Sequence, residues 1–285
     1  MAQTVKIISD STCDLSKDLL EKYDISILPL RILLGETEYR DGVDITPEEI
    51  FRWSDENKTT PKTSAPSMTE AMEVMKPFLD EGREIICFSI SDSMSTSGNV
   101  MRLAAEELEA SDKVTVINSA NLSTGIGLQV IQAALLSAEG KTRAQITAAI
   151  EEIRPRVRAS FTVDTLTYLY RGGRCNAVAA LAGTMLKLHP RIVVEDGAMD
   201  ASKKYRGKLS SVILSYTKDM EDDLKNAVPD RVFITHSGCD REIVESVRSY
   251  LESLGIFNEI LETRAGGVIS SHCGPGTLGV LFIEK

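Results

Sequence analysis

Side chains that could bind a ligand or move a proton gather just after the apolar runs of this chain, and most of them are hydroxyls. Residues 5–8 are followed by Ser9, Asp10, Ser11 and Thr12. Residues 85–88 are followed by Ser89, Ser91, Ser93, Ser95, Thr96 and Ser97. Asn118 and Ser119 come after 114–117, and Thr235, His236 and Ser237 after 232–234. Thr63 and Ser64 form a further cluster ahead of Ser67, which stands where a helix cap belongs. In open α/β sheets the carboxyl ends of the strands line the ligand crevice, and free N–H groups at helix N-termini favour anions there. Capping accounts for one or two hydroxyls per loop. The crowd between residues 89 and 97 points instead to a small anionic group as ligand.

Two cationic stretches could meet such a group. Residues 166–174 read Leu-Thr-Tyr-Leu-Tyr-Arg-Gly-Gly-Arg. Taken alone, this is a helix end with a glycine cap and favourable cations. Arg171 and Arg174 on one turn could also form a fork for a carboxylate or phosphate. Residues 266–277 place His272 in a glycine-rich loop before the last strand, where backbone can approach a ligand closely. Ser95 or Ser11 with His272 and Asp10 would make a Ser-His-Asp hydrolase, although no nucleophile-elbow motif accompanies them. GxxxxGK[ST] and HExxH are absent from the sequence. The five cysteines are scattered without a CxxC, which predicts reduced thiols, no zinc site and no metal.

The chain has 285 residues, enough for one large domain or two lobes. A net charge of −10 argues against a general nucleic-acid footprint. No apolar run approaches the ~20 residues of a membrane span, and residues 5–8 start a strand pattern with no visible signal peptide. Cytoplasmic residence is the expectation.

Positioning falls to alternating strands and helices, hence an α/β fold. Strands are expected at 5–9, 84–89, 114–118, 160–163, 191–194, 232–235, 257–261 and 279–283. Helices are expected at 15–23, 68–81, 122–138, 142–158, 209–226 and 241–254, with another from Thr46-Pro47-Glu48-Glu49. Residues 58–66 read as a polar loop. Residues 176–188 read as a small-residue helix that could wall a cavity, as could the helix bearing Gly125 and Gly127. The division predicted is an N-terminal lobe, 1–158, and a C-terminal lobe, 159–285.

Several stretches, in order, resemble the DegV family of bacterial fatty-acid-binding proteins. They are Ile8-Ser9-Asp10-Ser11-Thr12-Cys13-Asp14-Leu15, Tyr39-Arg40-Asp41-Gly42-Val43-Asp44-Ile45, Lys62-Thr63-Ser64-Ala65-Pro66-Ser67, the 166–174 turn, and His272-Cys273-Gly274-Pro275-Gly276-Thr277. The resemblance implies a two-lobed DegV-type fold that buries one long-chain fatty acid between its lobes and needs no cofactor. It implies carboxylate binding by Thr63, Ser95 and His272, with Ser64, Ser97, Arg171 and Arg174 supporting the pocket or meeting a partner. The family's Ser-Gly-Thr stands here as Ser95-Thr96-Ser97-Gly98, which leaves Ser95 and Ser97 both open for the second hydroxyl. It further implies a carrier that hands its fatty acid to a separate ATP-dependent kinase for acyl-phosphate formation in phospholipid metabolism. Transient membrane contact is compatible with that role. An acyl hydrolase and a lipid-bound sensor or interaction protein are the alternatives.

Overall fold

Strand β1 (Val5–Asp10) is buried along its whole length, Lys6 included, whose ammonium is paired with Asp24. The computed structural model describes residues 5–175 and 188–285. β1 lies in a parallel four-stranded sheet with β2 (Ile25–Leu28), β6 (Glu84–Ser89) and β7 (Val114–Asn118), in the order β2-β1-β6-β7. Pro29 ends β2 at the sheet edge, where a missing N–H is tolerated. The chain then builds a small antiparallel sheet from β3 (Arg31–Leu34), β4 (Thr37–Arg40) and β5 (Lys62–Ser64), with β3 in the middle. Residues 58–66 are thus not wholly a loop. β5 is three residues long, too short for a pattern to announce, and Ile32 pairs with Thr63.

A mixed six-stranded sheet occupies the second half. It comprises β8 (Val157–Thr162), β9 (Leu188–Glu195), β10 (Ala198–Arg206), β11 (Ala227–His236), β12 (Glu259–Arg264) and β13 (Leu278–Glu284), in the order β10-β9-β8-β13-β11-β12. β10 goes beyond the sequence reading. It is an edge strand, mostly exposed and carrying Lys203 and Lys204, so it shows little apolar alternation. The run 209–226 is two helices, Leu209–Lys218 and Glu221–Lys225. Of the small-residue helix expected at 176–188, residues 176–187 lie outside the described residues, and Leu188 opens β9.

The helix Thr124–Ala138 holds the layers together. It touches β1 on one side and β8 and β13 on the other. Its residues are apolar nearly all round, as a helix covered on every side requires. Gly125 and Gly127, candidates for a cavity wall or for close helix packing, serve close packing. A side chain at Gly127 would meet Leu15 Cδ2 at 2.8 Å and the Cys13 carbonyl at 3.0 Å. One apolar cluster therefore runs from Val5 and Ile7 through Ile126 to Phe161 and Leu281.

Local caps form as read. Thr46, Ser67 and Thr142 each close a reciprocal capping box with Glu49, Glu70 and Gln145. The glycine-rich stretch near the C-terminus departs from expectation: Gly267–Cys273 is a helix, not a loop. Its first amides are satisfied from far away in the sequence. Asp14 Oδ1 accepts from the Gly266 amide at 2.8 Å and Asp41 Oδ1 from the Gly267 amide at 2.7 Å. Local sequence cannot announce such a cap.

Candidate functional site

Thr63 and His272, 209 positions apart, meet at 2.7 Å between Thr63 Oγ1 and His272 Nε2. Each is placed by a different device. Thr63 lies on β5, whose antiparallel pairing with β3 fixes the direction of its side chain. His272 sits in the last turn of the helix Gly267–Cys273, whose start is held by Asp14 and Asp41. Asp14 also accepts from the Ser123 hydroxyl at 2.5 Å and Asp41 from the Ser11 hydroxyl at 2.7 Å. Burial pushes both carboxyls above their ordinary range.

The pair borders a cavity of about 390 Å³, within the ~300–1,000 Å³ span of small-molecule sites. Its polar lining is Thr63, Ser64, Ser93, Ser95 and Thr96 with Arg174 and Asp92. Asp92 is paired, accepting from Arg102 at 3.3 Å. The apolar lining includes Leu30, Met94, Leu122, Met199, Val268 and Ile269. Leu122, Ile269 and Cys273 are shared with a second, much smaller cavity that continues toward Phe161 and Leu281. The hydroxyls can hold an anion by hydrogen bonds, and the apolar side chains can pack against hydrocarbon.

His272 acts here as a neutral imidazole. Burial, reinforced by the Arg174 guanidinium, pushes its pKa down to about 4. Its Nδ1 is enclosed without a hydrogen-bond partner, against Gly172. The tautomer protonated on Nε2 avoids an unpaired buried N–H and makes Nε2–H the donor to Thr63 Oγ1. Thr63 then keeps its own O–H to donate into the cavity. Ser95 is similarly prepared: its Oγ accepts from the Ser97 amide at 3.2 Å, which leaves its proton available.

The unfolded chain holds a His proton below about pH 6.5, whereas the folded chain refuses it down to about 4. Stability from this group is therefore present above about 6.5 and lost as pH falls through that window. An NMR titration of the His272 ring is expected to find it still mostly neutral at pH 5, on the order of a unit above its midpoint. A midpoint above 6 or so, in the ordinary His range, would contradict the buried, neutral ring.

The remaining residues named from sequence fall into two groups. Arg174 borders the cavity, with Nη1 donating to the Gly172 carbonyl at 2.6 Å. Arg171 is exposed and donates to the Lys58 carbonyl at 3.3 Å, outside the cavity lining, so the two guanidiniums do not form one fork. Ser97 is fully buried, and its hydroxyl donates to Asp10 Oδ2 at 2.9 Å. Ser91 and Ser93 both donate to the Gly197 carbonyl, and Thr235 pairs with Thr124 and Thr263. Asp10 accepts from Thr12, Ile90 and Ser97. Among the described residues no hydrogen bond links Ser95 to His272 or His272 to Asp10. The Ser11 hydroxyl is taken up by Asp41. Cys273 borders the cavity, but burial pushes its thiol far above the ordinary range, which suits packing and not nucleophilic attack. Sequence reading missed Asp14 and Asp41 as supports and Leu122, Met94 and Met199 as lining. The signal available for the first two was their place in the stretches that carry the family resemblance.

Three comparisons bear on this arrangement. A family model described as "Uncharacterised protein, DegV family" matches residues 4–285. A DegV domain-containing protein of Clostridium perfringens is 32% identical over 281 residues, covering 99% of both chains. Among solved structures, a Thermus thermophilus DegV family protein described by its fatty acid binding superposes with a TM-score of 0.91. It is 31% identical, over 99% of this chain and 100% of that one. A stearic acid-binding protein from Eubacterium ventriosum gives a TM-score of 0.85 and 32% identity, over 99% and 98%. No helix among the described residues is long and apolar enough to cross a membrane.

Proposed function

This chain belongs to the DegV family, and from that premise we propose that it binds a long-chain fatty acid as a carrier, not as a stand-alone enzyme. The observation that carries the reading is a cavity lined by a set of hydroxyls together with a set of apolar side chains. A carboxylate taken out of water with an aliphatic tail must be hydrogen-bonded, or desolvation defeats binding. Thr63, oriented by His272, and Ser95 supply two donors, and Arg174 supplies positive charge nearby. Each CH₂ buried beyond them contributes about 0.8 kcal/mol. In this reading Ser95 rather than Ser97 meets the head group, because Ser97 is spent on Asp10. The lobes 1–158 and 159–285 hold the ligand between them, since the lining comes from both sides of that division.

Handover to a separate ATP-dependent fatty acid kinase in the cytoplasm completes the proposal, with exposed Arg171 on the surface that partner would meet. An organic extract of protein purified without added lipid is expected to yield close to one equivalent of fatty acid by mass spectrometry. An empty extract, still empty after incubation with a panel of fatty acids, would sink the carrier reading. ATP hydrolysis by the protein alone would count against the division of labour.

A further inference from the structure

Asp10, at the end of β1, is fully buried and accepts four hydrogen bonds. Oδ1 takes the Thr12 amide at 3.2 Å and the Thr12 hydroxyl at 2.5 Å. Oδ2 takes the Ile90 amide at 2.9 Å and the Ser97 hydroxyl at 2.9 Å. Ile90 and Ser97 are the two ends of a single segment. That segment forms one cavity wall, contributing Ile90, Asp92, Ser93, Met94, Ser95 and Thr96. A single carboxylate oxygen therefore pins both ends of the wall that carries Ser95. The link to Ser95 is direct at one end: Ser97, held by its side chain, donates its amide to Ser95 Oγ at 3.2 Å.

We infer, building on the fatty-acid reading above, that Asp10 is a positioning residue for head-group binding: through Ile90 and Ser97 it sets where Ser95 presents its hydroxyl. A carboxylate suits this task because it offers acceptors only, and bonds to a charged acceptor are the shorter and stronger kind. An amide there would turn an NH₂ toward donors on one side or the other. Burial pushes the Asp10 carboxyl up, and the bonds from Thr12, Ile90 and Ser97 oppose that rise. Asp10 is not among the residues that line the cavity, so its effect on binding passes through the loop.

Positioning and plain structural support separate in the ligand's head group. Hexadecanoic acid and its methyl ester share a tail, but only the acid offers a carboxylate to Ser95. The experiment compares their affinities for wild type, Ser97→Ala, Ser97→Thr and Asp10→Asn. Ser97→Ala is expected to weaken acid binding about tenfold and ester binding about twofold or less. Ser97→Thr keeps a hydroxyl and is expected to restore the acid preference. Asp10→Asn is expected to follow Ser97→Ala; Ser97→Ala spares the other three bonds and decides the matter if Asp10→Asn does not fold. Equal losses for acid and ester, or acid binding left intact, would overturn the positioning role. Wild-type protein that fails to bind the acid would instead overturn the fatty-acid reading beneath it.

Discussion

Thr63→Val is expected to weaken fatty-acid binding by about ten- to a hundredfold while leaving the fold intact. Valine matches threonine in shape and suits a strand, so β5 keeps its pairing with Ile32. What disappears is the hydroxyl that accepts from His272 and donates into the cavity. The carboxylate then loses a donor in a site where water cannot freely replace it, and His272 Nε2–H loses its acceptor. Such losses cost about 1–3 kcal/mol, and ~1.4 kcal/mol is a factor of ten. Thr63→Ser retains the hydroxyl and is expected to bind within about threefold of wild type. Calorimetric titration with a defined fatty acid reads both. Thr63→Val binding as tightly as wild type would remove Thr63 from the head-group site.

Gly172→Val is expected to damage binding and stability together. The two glycines of the Arg-Gly-Gly-Arg turn do different work. Gly173 is in the left-handed region, φ 67°, and a side chain there would meet nothing within 4 Å. Its glycine serves the helix cap alone. Gly172 is inside the helix Thr167–Gly172, and a Cβ there would lie 2.4 Å from His272 Nδ1. The imidazole would have to move, taking its hydrogen bond to Thr63 with it. Overpacking of this kind costs about 1–3 kcal/mol, and the displaced donor adds a binding loss of about tenfold or more. Gly173→Ala provides the contrast, with roughly 1–2 kcal/mol of backbone strain and unchanged affinity. Thermal melts with parallel titrations separate the two effects. Gly172→Val binding normally would mean that the His272 position does not matter to the ligand.

That contrast also shows where reading from sequence stops. The turn at 166–174 was legible as a helix end with a glycine cap, and Gly173 fills that place. The reason for the first glycine lay a hundred residues away in His272 and could not be read locally. The same holds for the fold. The capping boxes at Thr46, Ser67 and Thr142 close within three residues and were visible as patterns. The helix Gly267–Cys273 looked like a loop because its caps, Asp14 and Asp41, come from the opposite end of the chain. β10 was invisible because an exposed edge strand with lysines has no buried face to impose alternation.

The sequence by itself determined the α/β alternation, the local caps and the supply of hydroxyls at the strand ends. It did so because periodicity, capping and turn chemistry act over a few residues. Tertiary structure alone decided which hydroxyls remain free. Ser97 is consumed by Asp10, Ser91 and Ser93 by the Gly197 carbonyl, and Thr235 by Thr124 and Thr263, whereas Thr63 and Ser95 line the cavity. A hydroxyl both donates and accepts, so its availability depends on partners that only the folded chain brings within reach.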